Sequence, residues 1–192
     1  EQTLEQFANF PQEFNEMLDW FLTIPLFREY EHFRVVHASW DQQMIDEYLR
    51  RYDSNLISKN MLAESVQTDS FLYRFLDRIL RGTSLKLPDG RSMTSKDGMV
   101  RQFFRTKFWA DDPQRYNDVV FQPDPLPEDI QHGLLSAEEK EQLLFYGPDE
   151  KPLFIGHYWM SGLPAPIVPN IACLDYSAVK YGRLVAYRMD TE

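Results

Sequence analysis

Apolar positions along this chain follow two different rhythms. Three stretches carry a helical stripe. Over Pro11 to Leu22 it is Phe14, Met17, Leu18 and Phe21, and after Asp41 it is Met44, Ile45, Tyr48 and Leu49. From Asp69 to Arg81 it is Phe71, Leu72, Phe75, Leu76, Ile79 and Leu80, the clearest of the three. Pro11 suits a first helical turn and Pro25 stops that segment, Asp41 suits an N-cap, and Gly82 suits the residue just past a helix end. Elsewhere the apolar runs are short and unbroken, as in buried strands. Leu26 to Tyr30 and Phe33 to Ala38 form one pair around a Glu31-His32 turn. Pro152 to Gly156, Ile171 to Tyr176 and Arg183 to Met189 follow near the end.

The middle of the chain is less periodic. Leu85-Lys86-Leu87 and Arg91-Ser92-Met93 flank Pro88-Asp89-Gly90, which predicts a hairpin. Gly98 to Trp109 fits a helix or a strand equally well. Pro113, Pro123, Pro125 and Pro127 predict a long surface loop over 111–127. Ser136-Ala137-Glu138-Glu139 is a capping box that opens a short helix ending at Gly147. The pattern as a whole is α/β: one domain over 1–192, with a largely helical insertion or cap over 41–147 that would cover the site.

Two of the short apolar runs end in an imidazole: Arg34-Val35-Val36-His37-Ala38 and Leu153-Phe154-Ile155-Gly156-His157. Open α/β sheets present ligands at the carboxyl ends of their strands, and histidine is the commonest metal-binding side chain near neutral pH. Paired strand ends of this kind suggest a shared metal centre at His37 and His157; hydrogen-bonded structural histidines are the plain alternative. Gly156 would let the backbone come close to a metal or phosphate. Cys173, the single cysteine, lies in an apolar run and excludes an internal disulfide framework. A formal net charge of −10 argues against a general nucleic-acid or anionic-membrane binder. A reducing, cytoplasmic setting is expected.

Residues 34–38 and 156–159 resemble the last two metal-ligand motifs of the calcineurin-like metallophosphoesterases. Asn170 to Val179, followed by Gly182 to Arg188, resembles the closing strands of that family. The likeness, from about Trp20 to Met189, is nearest to the bacterial serine/threonine-phosphatase and diadenosine-tetraphosphatase-like branch. It implies a β-sandwich flanked by helices. It also implies two divalent metal ions, Mn foremost with Fe, Zn or Ni as alternatives, and hydrolysis of a phosphoprotein, a dinucleoside polyphosphate or a small phosphoester. His37 and His157 would be metal ligands. Lys96, Arg101 and Arg105, the local concentration of positive charge in the insertion, would bind substrate; Arg101 and Arg105 would share one face if their segment were helical.

The family's first three motifs, Asp-x-His, Gly-Asp-x-x-Asp-Arg-Gly and Gly-Asn-His-Glu, occur nowhere in these 192 residues. The chain also opens on Glu1 without a methionine. It is therefore expected to be the carboxyl-terminal part of a longer phosphatase and inactive alone, since two imidazoles without bridging carboxylates cannot hold a dimetal pair. The rival expectation is a non-catalytic module that binds a phosphorylated ligand or a protein.

Overall fold

Among the residues described in the computed structural model (2–94, 98–122 and 126–190), the opening helices α1 (Gln2–Gln6) and α2 (Pro11–Phe21) bury no residue. The apolar stripe of α2 is present but leaves Leu18 and Phe21 exposed. The chain then enters β1 (Phe27–Glu29), turns at Glu31-His32 and returns antiparallel as β2 (Arg34–Val36). Helix α3 (Gln42–Tyr52) begins at Asp41, whose carboxylate accepts from the Met44 N–H at 3.1 Å, as an N-cap should. After the short α4 (Leu62–Ser65), α5 (Phe71–Arg81) starts at Ser70 and stops at Gly82.

That stop is enforced. Gly82 has φ +82°, and a Cβ there would lie 2.5 Å from the Tyr158 hydroxyl oxygen. The end of α5 then organises its surroundings through carbonyls of its last turn, of which Arg78's also accepts from the Gly82 N–H at 3.1 Å. The Ala38 N–H donates to the Ile79 carbonyl at 2.8 Å, and the Ser39 hydroxyl donates to the Arg78 carbonyl at 2.7 Å.

Residues 84–142 follow as β3 (Ser84–Lys86), β4 (Met93–Thr94), β5 (Val100–Arg101), β6 (Phe103–Thr106), α6 (Tyr116–Val119), β7 (Val120–Gln122), α7 (Glu128–Gln131) and α8 (Ala137–Gln142). The expectation of a largely helical insertion is thus corrected. Its first half is helical, but its second half is built on a β3-β6-β7 sheet and a β4-β5 ribbon. The expected hairpin is also absent. Pro88-Asp89-Gly90 does turn, with Asp89 and Gly90 both at positive φ, but β3 pairs with β6 and β4 with β5. Burial decides the pairing: Leu85, Leu87 and Phe104 are 2%, 1% and 1% exposed and share one small core. The same core takes Tyr116 and Val119 from the stretch expected to be a surface loop. The 98–109 ambiguity resolves as strand, so Arg101 and Arg105 are not neighbours on a helix face.

The chain closes with β8 (Leu153–Ile155), β9 (Ile171–Cys173), β10 (Asp175–Tyr176) and β11 (Arg183–Leu184). The expected long last strand is reduced to Arg183-Leu184, which pairs with β10. The main sheet has the order β1-β2-β8-β9, with β2, β8 and β9 parallel. Phe27, Val36, Leu153, Ile155, Ile171 and Cys173 turn one face onto Ile45 and Tyr48 of α3 and Leu72, Phe75 and Ile79 of α5. The edge of the Phe27 ring meets the Tyr48 and Phe75 rings at 6.1 and 6.2 Å. The opposite face carries Val35 and Phe154 and borders an open cleft of about 860 Å³ that runs to the two histidines. No helix among the described residues is long and apolar enough to cross a membrane.

Candidate functional site

His37 and His157 each follow their strand by one or two residues, and the strands are adjacent and parallel. The Gly156 N–H donates to the His37 carbonyl at 2.9 Å, which carries the register past the strand ends. The imidazole centroids stand 5.2 Å apart, at 54° to each other. A Cβ on Gly156 would meet only ordinary contacts, 3.5 Å or more from the nearest atom, so neighbouring protein does not demand glycine there.

The second histidine is held by strain and by an anchor. His157 and Trp159 both have positive φ, +65° and +36°, a region that side chains with a Cβ rarely occupy. Between them Tyr158 is fully buried, with the Phe108, Trp109 and Phe121 rings at 5.9, 5.7 and 5.1 Å. Burying that ring forces its two neighbours outward. His157 goes to the site, and Trp159 goes to the surface, where Lys180 Nζ lies 4.0 Å over its ring.

Arg105 is the third member. It leaves β6, and β6 is tied to the end of α5: the Thr106 N–H donates to the Thr83 carbonyl at 2.9 Å, and the Thr106 hydroxyl donates to the Thr83 hydroxyl at 2.7 Å. From there Arg105 Nη2 reaches His157 Nε2 at 2.8 Å, Nη1 donates to the His157 carbonyl at 3.4 Å, and the guanidinium lies 5.3 Å over the Tyr158 ring. A guanidinium has no lone pair to offer, so Nε2 is the acceptor and the ring proton sits on Nδ1.

Electrostatics keep both imidazoles neutral. Burial lowers the His37 pKa, against the opposing pull of Asp175. Burial, then Arg105 and His37, push His157 down to about 4. Asp175 belongs to the site by charge, acting on both rings, while its Oδ1 accepts from the Ser177 N–H at 2.9 Å. Arg105 contrasts with Arg34, the half-buried arginine of the main sheet. Arg34 is clasped by Glu29 at 3.0 Å and Glu150 at 2.7 Å. Among the described residues Arg105 has no carboxylate in salt-bridge range, and burial lowers its pKa.

The residues singled out in the sequence therefore separate. His37, His157 and Arg105 come together. Arg101 lies on β5 and acts on Arg105 through its charge. Lys96 lies outside the described residues. Asp41 is an N-cap and an ion partner of Arg78 at 3.6 Å, not an orienter of His37. Cys173 is buried and its thiol pKa is raised, first by burial, so it stays an inert packing residue. Sequence reasoning assigned no role to Asp175. Its signal was available, because it ends an apolar strand as the two histidines do.

Two adjacent neutral imidazoles present the form that ligates a metal, and they suit one side of a metal shell. They do not suit a complete dimetal centre. Among the described residues no group of three or more His, Cys, Asp or Glu side chains is placed to hold a metal ion. Comparisons with protein-family models, with curated proteins and with solved structures found no match to this chain.

Proposed function

We propose that this chain contributes the two-histidine side of the active centre of a metal-dependent phosphoester or phosphoanhydride hydrolase. The carboxylate ligands would come from outside these 192 residues. The observation that supports this most is a guanidinium without a carboxylate partner among the described residues, bonded to one of two neutral imidazoles at adjacent parallel strand ends. Imidazoles are metal donors, and a half-buried guanidinium without an anion is a phosphate donor set in waiting. On this reading the main sheet is one layer of a calcineurin-like sandwich, with Mn the foremost metal and Fe, Zn or Ni as alternatives. When bound, the metals supply a hydroxide near neutral pH and polarise the phosphoryl oxygens. The chain's own part is to hold His37 and His157 neutral and to aim Arg105 at the substrate's negative charge. The substrate is a phosphoprotein, a dinucleoside polyphosphate or a small phosphoester, met in the cytoplasm.

A second reading, a non-catalytic module for a phosphorylated ligand, is favoured by the lack, among the described residues, of three or more His, Cys, Asp or Glu side chains grouped to hold a metal. One pair of measurements separates the two. Calorimetric titration with Mn²⁺ or Zn²⁺ should show binding that His37→Ala and His157→Ala each abolish. The same chain should turn over p-nitrophenyl phosphate far more slowly than ~1 per second, the lower end of enzyme rates. Metal binding indifferent to both histidines, with phosphate still bound through Arg105, establishes the non-catalytic module instead. Fast turnover by these residues alone contradicts the idea that ligands are missing.

A further inference from the structure

Arg105 and the metal reading make competing claims on the same atom. The Nε2 lone pair of His157 accepts from Arg105 Nη2 at 2.8 Å, which leaves the ring proton on Nδ1. His157 therefore has no lone pair to give a metal while Arg105 stays where it is. Among the described residues the guanidinium in turn has only uncharged partners: a ring nitrogen, a backbone carbonyl and the Tyr158 π-face.

We propose that Arg105 is the positioning residue of this site and works by exchange. It stores His157 as the Nδ1–H tautomer with Nε2 covered and pointed inward. It surrenders that nitrogen to an incoming divalent metal, and then turns its guanidinium to the oxygens of a phosphoryl group. The inference rests on the metal-site reading above and adds an order of events: metal first, phosphate second, each favouring the other. Two features fit the role. β6 is pinned to the end of α5 by the Thr83–Thr106 bonds, so the arginine pivots from a fixed base. Tyr158 gives the guanidinium a flat surface to slide on, since cation–π contact is tolerant of lateral movement.

The test uses the whole chain, Zn²⁺ as a diamagnetic metal probe and methylphosphonate as a non-hydrolysable anion. Calorimetry on wild type, Arg105→Ala, Arg105→Lys and His37→Ala is combined with ¹⁵N NMR of the histidine rings and arginine side chains. Arg105→Ala should bind Zn²⁺ about tenfold more tightly, the order of effect expected for removing one charge-assisted hydrogen bond. With zinc present it should bind methylphosphonate about tenfold more weakly. Arg105→Lys separates exchange from simple charge repulsion. The ammonium keeps the charge but lacks the planar fork that engages ring and carbonyl together, so zinc should again bind more tightly than to wild type. In wild type, zinc should shift the His157 Nε2 resonance and the Arg105 side-chain signal together.

Arg105→Lys matching wild type, or Arg105→Ala weakening zinc, overturns the exchange while leaving the metal site standing. An Arg105 signal unmoved when His157 takes zinc overturns it equally. Zinc affinity unchanged in His37→Ala removes the metal-site reading, and the exchange with it. Melting curves of the variants identify any that fail to fold, and the wild-type NMR titration decides the matter independently of them.

Discussion

The two cores of this molecule are put together differently. The larger draws its side chains from Phe27 through Cys173, so the main sheet exists only when distant parts of the chain meet. The smaller takes all its buried members from Leu85 to Leu135, a single stretch whose contacts are local. Contacts that close long loops form late and fail together, while a local cluster can loosen by itself. The histidines follow strands packed in the first, and Arg105 lies on β6, whose Phe104 is buried in the second. One site is thus assembled from elements of both cores.

Removing a central ring from each core should separate them most clearly. Phe75 is fully buried under Phe27, stacked on Tyr48 at 4.3 Å, and Phe75→Ala should cost about 3–5 kcal/mol. Chemical denaturation should then show one cooperative loss that takes the histidine pair with it. Phe104→Ala carries a similar local cost of about 3–5 kcal/mol, but hydrogen exchange should find the opening confined to 84–135. That variant should keep histidine-dependent metal binding and lose anion binding. If both substitutions unfold the chain as a unit, the two cores are one.

The seam between them offers a smaller effect. Gly82→Ala would place a methyl against the Tyr158 hydroxyl at positive φ, where left-handed strain alone costs roughly 1–3 kcal/mol. It should lower the melting temperature and disturb the His157 ring signals together. An unperturbed His157 would show that Tyr158 does not transmit the seam to the site. Smaller again, Asp41→Ala removes the α3 cap and should cost about 1 kcal/mol, read by denaturation, with no change at the histidines.

Acid perturbs the site without changing a residue. The folded His157 pKa, about 4, lies below its ordinary 6.5, so the unfolded chain takes up the proton first. The stabilisation is complete above about pH 6.5 and is lost as pH falls toward 4. His157→Gln should flatten that part of the pH–stability profile. An unchanged slope would mean that the ring is not held neutral by its surroundings.

How much of this the sequence disclosed depends on which kind of contact decided the matter. Caps at Asp41, Ser136 and Gly82 were readable because capping is local chemistry. The two strand-end histidines were readable because an unbroken apolar run stopping at an imidazole already implies burial, an edge and a direction. Arg105 was readable as charge but not as geometry, because it reaches the site from a β-strand and not from a helix face. The Pro88–Gly90 turn misled because the turn residues are real while strand pairing is settled by distant apolar partners, Phe104 above all. The 111–127 prolines hid a buried Tyr116 and Val119 for the same reason.

If His37, His157 and Arg105 form one metal-and-phosphate site, anomalous diffraction from crystals of this chain soaked in Zn²⁺ and methylphosphonate will show it. A zinc peak is expected about 2.0–2.1 Å from a ring nitrogen of each histidine, the usual zinc–imidazole distance. Arg105 should be turned off His157 Nε2 and onto the phosphonate. Zinc absent from that pair of rings, or phosphonate bound elsewhere with Arg105 still on His157, would contradict it.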